Sequence, residues 1–150
     1  MSYTNADGLY VLTHAGQADV QDGGSTAVQA TKQMVVKLDL TANKGVTAND
    51  AFIPAGSYIT KAHLVVTTAA AGGTSINFGL ADSAGSAIDA DGIDAAVATA
   101  ALAANKGVAC DGALVGGTAT VGASDAYVTT ANTGTFTAGA ATLVIEYIEV

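Results

Sequence analysis

Four aspartates, Asp82, Asp89, Asp91 and Asp94, form the densest charged group in the chain. Hard cations such as calcium take several oxygen ligands converging on one point, so this group is the first place to look for a metal. Its spacing does not follow a calcium loop. Asp89-Ala90-Asp91-Gly92 lacks the further alternating oxygen residues, and the twelfth position counted from Asp89 is Ala100, where a bidentate glutamate is required. The simpler expectation is a helix start, with Asp91 as N-cap and acids favoured by the helix dipole. No metal centre is therefore expected, and Asp89, Asp91 and Asp94 are the only metal candidates.

The other reactive side chains are few. His14 and His63 have no cysteine or second histidine at zinc-ligand spacing, so solvated or hydrogen-bonded strand positions are expected for both. Cys110 is the single cysteine, cannot form an intrachain disulfide, and has no activating residue beside it in sequence; a small buried hydrophobe is its expected role. No Gly-x-Ser-x-Gly elbow seats a serine nucleophile, and no phosphate-cradling glycine loop is present. Paired-carboxylate glycosidase chemistry is disfavoured by the absence of Trp and the scarcity of Tyr and Phe as sugar platforms. The only glutamates, Glu146 and Glu149, fall in the last strand, where a solvent-facing or intersubunit role is ordinary. No catalytic residue and no cofactor is expected.

The elements that would carry these residues are mostly strands. In residues 33–40, Met34, Val36, Leu38 and Leu40 alternate with Gln33, Val35, Lys37 and Asp39; in residues 74–80, Ile76, Phe78 and Leu80 alternate with Ser75, Asn77 and Gly79. Period two is the mark of a strand with one face on a core. Residues 58–68 and 142–150 are richer in β-branched side chains and alternate less cleanly, which predicts strands central to a sheet or covered on both faces. Residues 9–13, 118–121 and 126–130 are weaker strand candidates, with 135–137 a short edge piece.

Turn markers separate these segments: Asp22-Gly23-Gly24-Ser25, Ile53-Pro54-Ala55-Gly56, Gly72-Gly73, Gly116-Gly117 and Asn132-Thr133-Gly134. The one with proline suits a type I turn. One stretch departs from the pattern, since Ile93, Val97 and Ala101 are spaced for a helical face and Asn105-Lys106-Gly107 could stop it; a short helix or helical loop is expected around residues 92–105. The pentapeptide Ala-Asn-Lys-Gly-Val occurs at 42–46 and 104–108, but other echoes have a different offset, so reused turn chemistry is expected rather than a duplicated fold. Many short strands with glycine turns predict a mostly β domain, an antiparallel β-sandwich of jelly-roll-like kind spanning residues 1–150, with residues 1–30 a candidate extended N-terminal arm.

Composition narrows the partners. A chain of 150 residues suits one domain. Its hydrophobic half is largely alanine, only 5% of residues are aromatic, and the core must be built from small side chains. Charged residues are 12% of the chain, about half the usual share, and mean hydropathy is +0.41, which argues against disorder and for surfaces that pack on neighbouring subunits. The net charge of −8, with no lysine cluster, disfavours nucleic acid and anionic membranes. No apolar run reaches the roughly 18 residues of a membrane span, and no secretory signal is visible, so synthesis in a cytoplasm is expected.

The run Ile53-Pro54-Ala55-Gly56-Ser57-Tyr58-Ile59, leading into Leu64-Val65-Val66-Thr67-Thr68 and then Asn77-Phe78-Gly79-Leu80-Ala81-Asp82, resembles a group of small tailed-bacteriophage virion proteins of the capsid decoration type. The ending, Thr133-Gly134-Thr135-Phe136-Thr137-Ala138-Gly139 followed by Leu143-Val144-Ile145-Glu146-Tyr147, is similar to their closing strand, so the likeness covers about the C-terminal two-thirds. The resemblance implies a non-enzymatic subunit on the exterior of a virion, made in the host cytoplasm. Its partner would be the major capsid protein, which it stabilises by bridging capsomers as a small homo-oligomer, with a trimer favoured. An adhesion or receptor-binding module of a tail, fibre or cell surface is the alternative, because sandwiches serve that role equally well. The scattered tyrosines Tyr3, Tyr10, Tyr58, Tyr127 and Tyr147 form no obvious hot spot and weigh against it.

Overall fold

A computed structural model describes residues 31–150 and, nearer the start, the backbone of two short strands. The chain divides into two units, Met1–Ala30 and Thr31–Val150. In the first, β1 (Tyr3–Thr4) pairs antiparallel with β2 (Tyr10–Val11), which places a two-residue strand inside the segment expected at 9–13. His14, the turn at Asp22-Gly23-Gly24-Ser25 and, apart from the four residues of β1 and β2, the arm expected over residues 1–30 lie outside the described residues.

The second unit contains β3 (Lys32–Asp39), β4 (Phe52–Ile53), β5 (Tyr58–Gly72), β6 (Ser75–Ala81), β7 (Ala87–Ala98), β8 (Gly107–Ala109), β9 (Ala126–Thr133) and β10 (Phe136–Ile148). They form two antiparallel sheets, ordered β3-β10-β5-β8 and β4-β9-β6-β7. Strands pair from the outside of the chain inward: β3 with β10, β4 with β9, β5 with β8 and β6 with β7. Such pairing describes one long hairpin folded over so that successive strand pairs fall in alternate sheets. The pairs β5 with β10 and β6 with β9 then knit each sheet across its middle. The expected mostly β, sandwich-like fold is what the chain adopts.

Alternation explains why the two sheets face one another. Ile76, Phe78 and Leu80 on β6 are fully buried, as are Ile59 and Leu64 on β5 and Leu143 and Ile145 on β10. All belong to one hydrophobic cluster with Met34 and Leu38 of β3, Ile93 and Val97 of β7 and Val128 of β9. Each such aliphatic or aromatic side chain contributes about 1.5–3 kcal/mol by leaving water. Few aromatics take part, with Phe78, Phe136 and Tyr147 the buried rings among the described residues.

Three local expectations are corrected. The helix around 92–105 is reduced to a single 3-10 turn, Thr99–Ala101, because residues 92–98 continue β7. A spacing of four, as between Ile93 and Val97, puts two residues on one face of a strand as well as of a helix. Ala96, at φ 50°, and register shifts along the β6–β7 pair break the simple alternation that would have marked the strand. Asp91 is accordingly a strand residue; the 3-10 turn is preceded by Ala98 and has no side-chain cap. Residues 118–121 form no strand, although Val121 N–H bonds Ser57 C=O at 2.9 Å. Residues 135–137 are no separate edge piece, since Phe136 opens β10 and is buried.

The proline turn is shifted by one residue from the expected type I. Ser57 N–H bonds the carbonyl of Pro54 at 3.2 Å and Gly56 has φ 78°, which is a type II turn with glycine at its third position. The two Ala-Asn-Lys-Gly-Val copies serve different ends. At the first, Asn43 Oδ1 accepts the Asn132 N–H at 2.8 Å and Lys44 N–H bonds Thr130 Oγ1 at 2.8 Å, stitching the β3–β4 loop to β9. At the second, Asn105 takes φ 61° and its N–H reaches Val66 C=O at 2.9 Å, starting the β8 pairing with β5. Different backbone roles fit reused turn chemistry.

Candidate functional site

The four aspartates do not converge. Asp82 caps the β6–β7 turn, its Oδ1 accepting the N–H groups of Ala84 and Ser86, each at 2.9 Å. Asp89 Oδ1 accepts the Asp91 N–H at 3.3 Å within β7, and Asp91 is exposed. Asp94 is buried at 6% exposure. Among the described residues, no group of three or more His, Cys, Asp or Glu is arranged to hold a metal ion.

Asp94 instead meets the segment after β8. Gly112 N–H bonds Ile93 C=O and Leu114 N–H bonds Gly92 C=O, both at 2.9 Å, so this loop lies along β7 as a short added ladder. The arrangement brings Cys110 and Asp111 against Asp94. Burial raises the Asp94 carboxyl above its usual range and the Asp111 charge adds to that, while hydrogen bonds from the Ala95 N–H and the Cys110 thiol oppose it. Burial first, then the Asp94 charge, pushes the Cys110 thiol up to about 12. A thiol held protonated in this way is the reverse of an activated nucleophile, in keeping with a packing role.

His63 and Glu146 lie on the outward face of the β3-β10-β5-β8 sheet. In register across β3, β10 and β5 run Val35, Val144 and His63, then Gln33, Glu146 and Lys61, then Lys37, Thr142 and Val65. Glu146 thus faces Lys61 across the ladder, the opposite-charge arrangement that favours pairing. Glu149, just past β10, forms an ion pair with Lys32 at 2.5 Å. Val35 is 54% exposed and Val65 45% exposed, with half-buried Val144 in the row of Val35 and diagonal to Val65. An open antiparallel sheet normally turns polar residues outward, so this apolar centre flanked by lysines is the feature of the domain most suited to contact a partner.

The opposite sheet presents a smaller apolar spot, where half-exposed Phe52 of β4 and Tyr127 of β9 sit side by side with ring centroids 5.6 Å apart. Neither site stood out in the sequence as a surface. The sign was the run of apolar residues at both parities in Met34-Val35-Val36, Leu64-Val65-Val66 and Leu143-Val144-Ile145, which indicates two-sided coverage but does not distinguish cover within the chain from cover by another.

No known protein family matches the chain, and no curated protein matches it in sequence. Among solved structures it is similar to a chain of the cyanophage Pam1 capsid asymmetric unit, with a TM-score of 0.55 and 18% sequence identity over 92% of this chain and 98% of that one. What the two chains share is the fold, along nearly their whole lengths.

Proposed function

We propose that this protein is a non-enzymatic structural component of a tailed-phage virion, a jelly-roll subunit that decorates the capsid exterior and stabilises it by bridging capsomers. The single observation that carries the reading is the fold shared with a chain of the cyanophage Pam1 capsid asymmetric unit. The match spans 92% of this chain and 98% of that one, so the likeness takes in the whole fold and not a fragment of it. The order β3-β10-β5-β8 and β4-β9-β6-β7 is that of a rolled-up antiparallel ribbon, an architecture used by capsid and lectin domains alike. Its partner in this reading is the major capsid protein, and the subunit acts as a small homo-oligomer, with a trimer favoured. Symmetry then multiplies individually modest contacts into stable attachment.

An adhesion or receptor-binding role is the second reading, favoured by the pairing of exposed Phe52 with partly buried Tyr127, since clustered aromatics mark binding hot spots. Copy number separates the two. Peptide quantification on purified particles, scaled to the major capsid protein, is expected to give occupancy across the icosahedral shell. A few copies per particle would transfer the protein to a tail or fibre, and complete absence would overturn the virion reading.

A further inference from the structure

We infer that the segment from Cys110 to Leu114 is a proton-fastened latch, which closes the seam between the β7 and β8 edges of the two sheets while Asp94 or Asp111 keeps a proton and loosens when both are ionised. The device belongs to the isolated subunit, so it is tested apart from the virion role.

The chain after β8 laces one sheet to the other. The Cys110 N–H bonds the Ala62 carbonyl of β5 at 3.0 Å, the Gly112 and Leu114 N–H groups then bond the Ile93 and Gly92 carbonyls of β7, both at 2.9 Å, and the Gly116 N–H returns to the Ile59 carbonyl of β5 at 2.9 Å. Strands β7 and β8 are each the edge of their sheet, so this crossing shuts the side of the sandwich where both edges lie. Glycine meets glycine where the segment lies on β7, since a Cβ on Gly112 would come within 2.5 Å of the Gly92 carbonyl oxygen. Leu114 is buried in the same cluster as Ile93 and Cys110.

Within this seam Asp94 is buried with no cation beside it. The groups that face it from the segment are the Cys110 thiol and the Asp111 carboxyl. Neighbouring strands add no compensating charge: β6 and β8 carry no ionisable residue, Tyr58 of β5 donates its hydroxyl to the Gly117 carbonyl, and Lys61 and His63 of β5 are exposed on the outward face. The other charges on β7 itself, Asp89 and Asp91, are also acids. Two carboxyls in contact, one of them out of water, favour holding a proton between them over carrying two charges. Burial and then the Asp111 charge raise the Asp94 carboxyl, so the closed seam binds a proton that a wetted Asp94 gives up on opening. Closure is therefore strongest below pH 3.8, the ordinary value, and weakens as pH rises through the folded one. Opening also frees the Gly92 and Ile93 carbonyls, so loss of the proton uncovers part of a sheet edge.

The test is hydrogen exchange read by NMR on the full chain between pH 4 and pH 8, with each rate divided by that of an unstructured amide at the same pH. The Gly112 and Leu114 amides are expected to exchange by local opening that is insensitive to low urea, whereas Leu143 in the middle of β10 exchanges with unfolding and responds to urea. Opening at Gly112 and Leu114 is expected to increase by about tenfold or more from pH 4 to pH 8, with about tenfold per pH unit the ceiling for one proton. Asp94→Asn is expected to flatten this rise. Asp111→Asn, which changes an exposed side chain and leaves the core intact, is expected to reduce it by at least about threefold. The inference is overturned if the wild-type opening is flat with pH, if it rises as steeply in either variant, or if Gly112 and Leu114 share the urea dependence of Leu143.

Discussion

The backbone of Ala90 on β7 lies directly over Gly79 of β6, so close that a Cβ at position 79 would overlap the Ala90 carbonyl group and come within 2.5 Å of the Asp89 oxygen. Both contacts are backbone, which cannot swing aside as a side-chain tip can. Gly79→Ala is therefore expected to destabilise the domain by about 3 kcal/mol, the upper part of the overpacking range. Gly45→Ala, where an added methyl meets nothing within 4 Å, is expected to be near neutral. Urea denaturation of the pair checks this, and equal midpoints would refute the close approach.

Leu64 and Val65 are sequence neighbours with opposite fates on β5, the first fully buried and the second turned outward at 45% exposure. Leu64→Ala is expected to cost about 2–5 kcal/mol through lost burial and the cavity left behind. Val65→Thr is expected to stay within about 0.5 kcal/mol in the monomer, as surface replacements do. If Val65→Thr proved the more damaging, the register of β5 against β10 would be wrong by one residue, since a one-residue slip exchanges the two faces.

These pairs also indicate what was readable before any coordinates. The β6 run declared itself because Ile76, Phe78 and Leu80 alternate with Ser75, Asn77 and Gly79, which sets all the large apolar side chains on one side, although Gly79 and Ala81 are buried on the other. The β7 run did not, because Ala96 at φ 50° and the shifts opposite Phe78 and Leu80 interrupt the two-residue period, leaving Ile93 and Val97 at a spacing common to helix and strand. Strands β4 and β8 are two and three residues long, too short for any period to register. The outward face of Val35, Val65 and Val144 was legible only as an excess of apolar residues, because its cross-strand alignment depends on register that no local pattern encodes. The contact of Asp94 with Cys110 was invisible for the same reason: it needs the loop after β8 to fold back along β7.

Asp94 gives the domain a pH dependence of definite sign. Its folded-state carboxyl is raised above the ordinary 3.8, so the native state holds this proton more tightly than the unfolded chain. Stability from this group is fully present below pH 3.8 and is lost as pH rises through the folded value. Asp39 and Asp50 run the other way: hydrogen bonds from Thr41 hold Asp39 low and the Lys44 ammonium holds Asp50 low, and their contribution disappears as pH falls below 3.8. Asp94→Asn removes only the first effect. It is expected to raise the melting temperature at pH 7 and to match wild type near pH 3, and a variant less stable at pH 7 would show that the ionised carboxylate is a net support.

Cys110 is the group whose chemistry the fold suppresses most directly. With its thiol pushed up to about 12, the thiolate fraction at pH 8 is about one in ten thousand, and at 7% exposure little of the side chain is open to a reagent. Native protein at pH 8 is expected to resist iodoacetamide, and protein unfolded in urea at the same pH is expected to be labelled fully within the same period. Labelling after urea but not before, followed by mass spectrometry of the intact chain, therefore counts molecules in which the loop along β7 has opened. Rapid labelling of the native chain would mean that the ladder from Gly112 to Ile93 and from Leu114 to Gly92 opens readily. In that case Cys110, together with Asp94 beneath it, would belong to the least stable part of the domain.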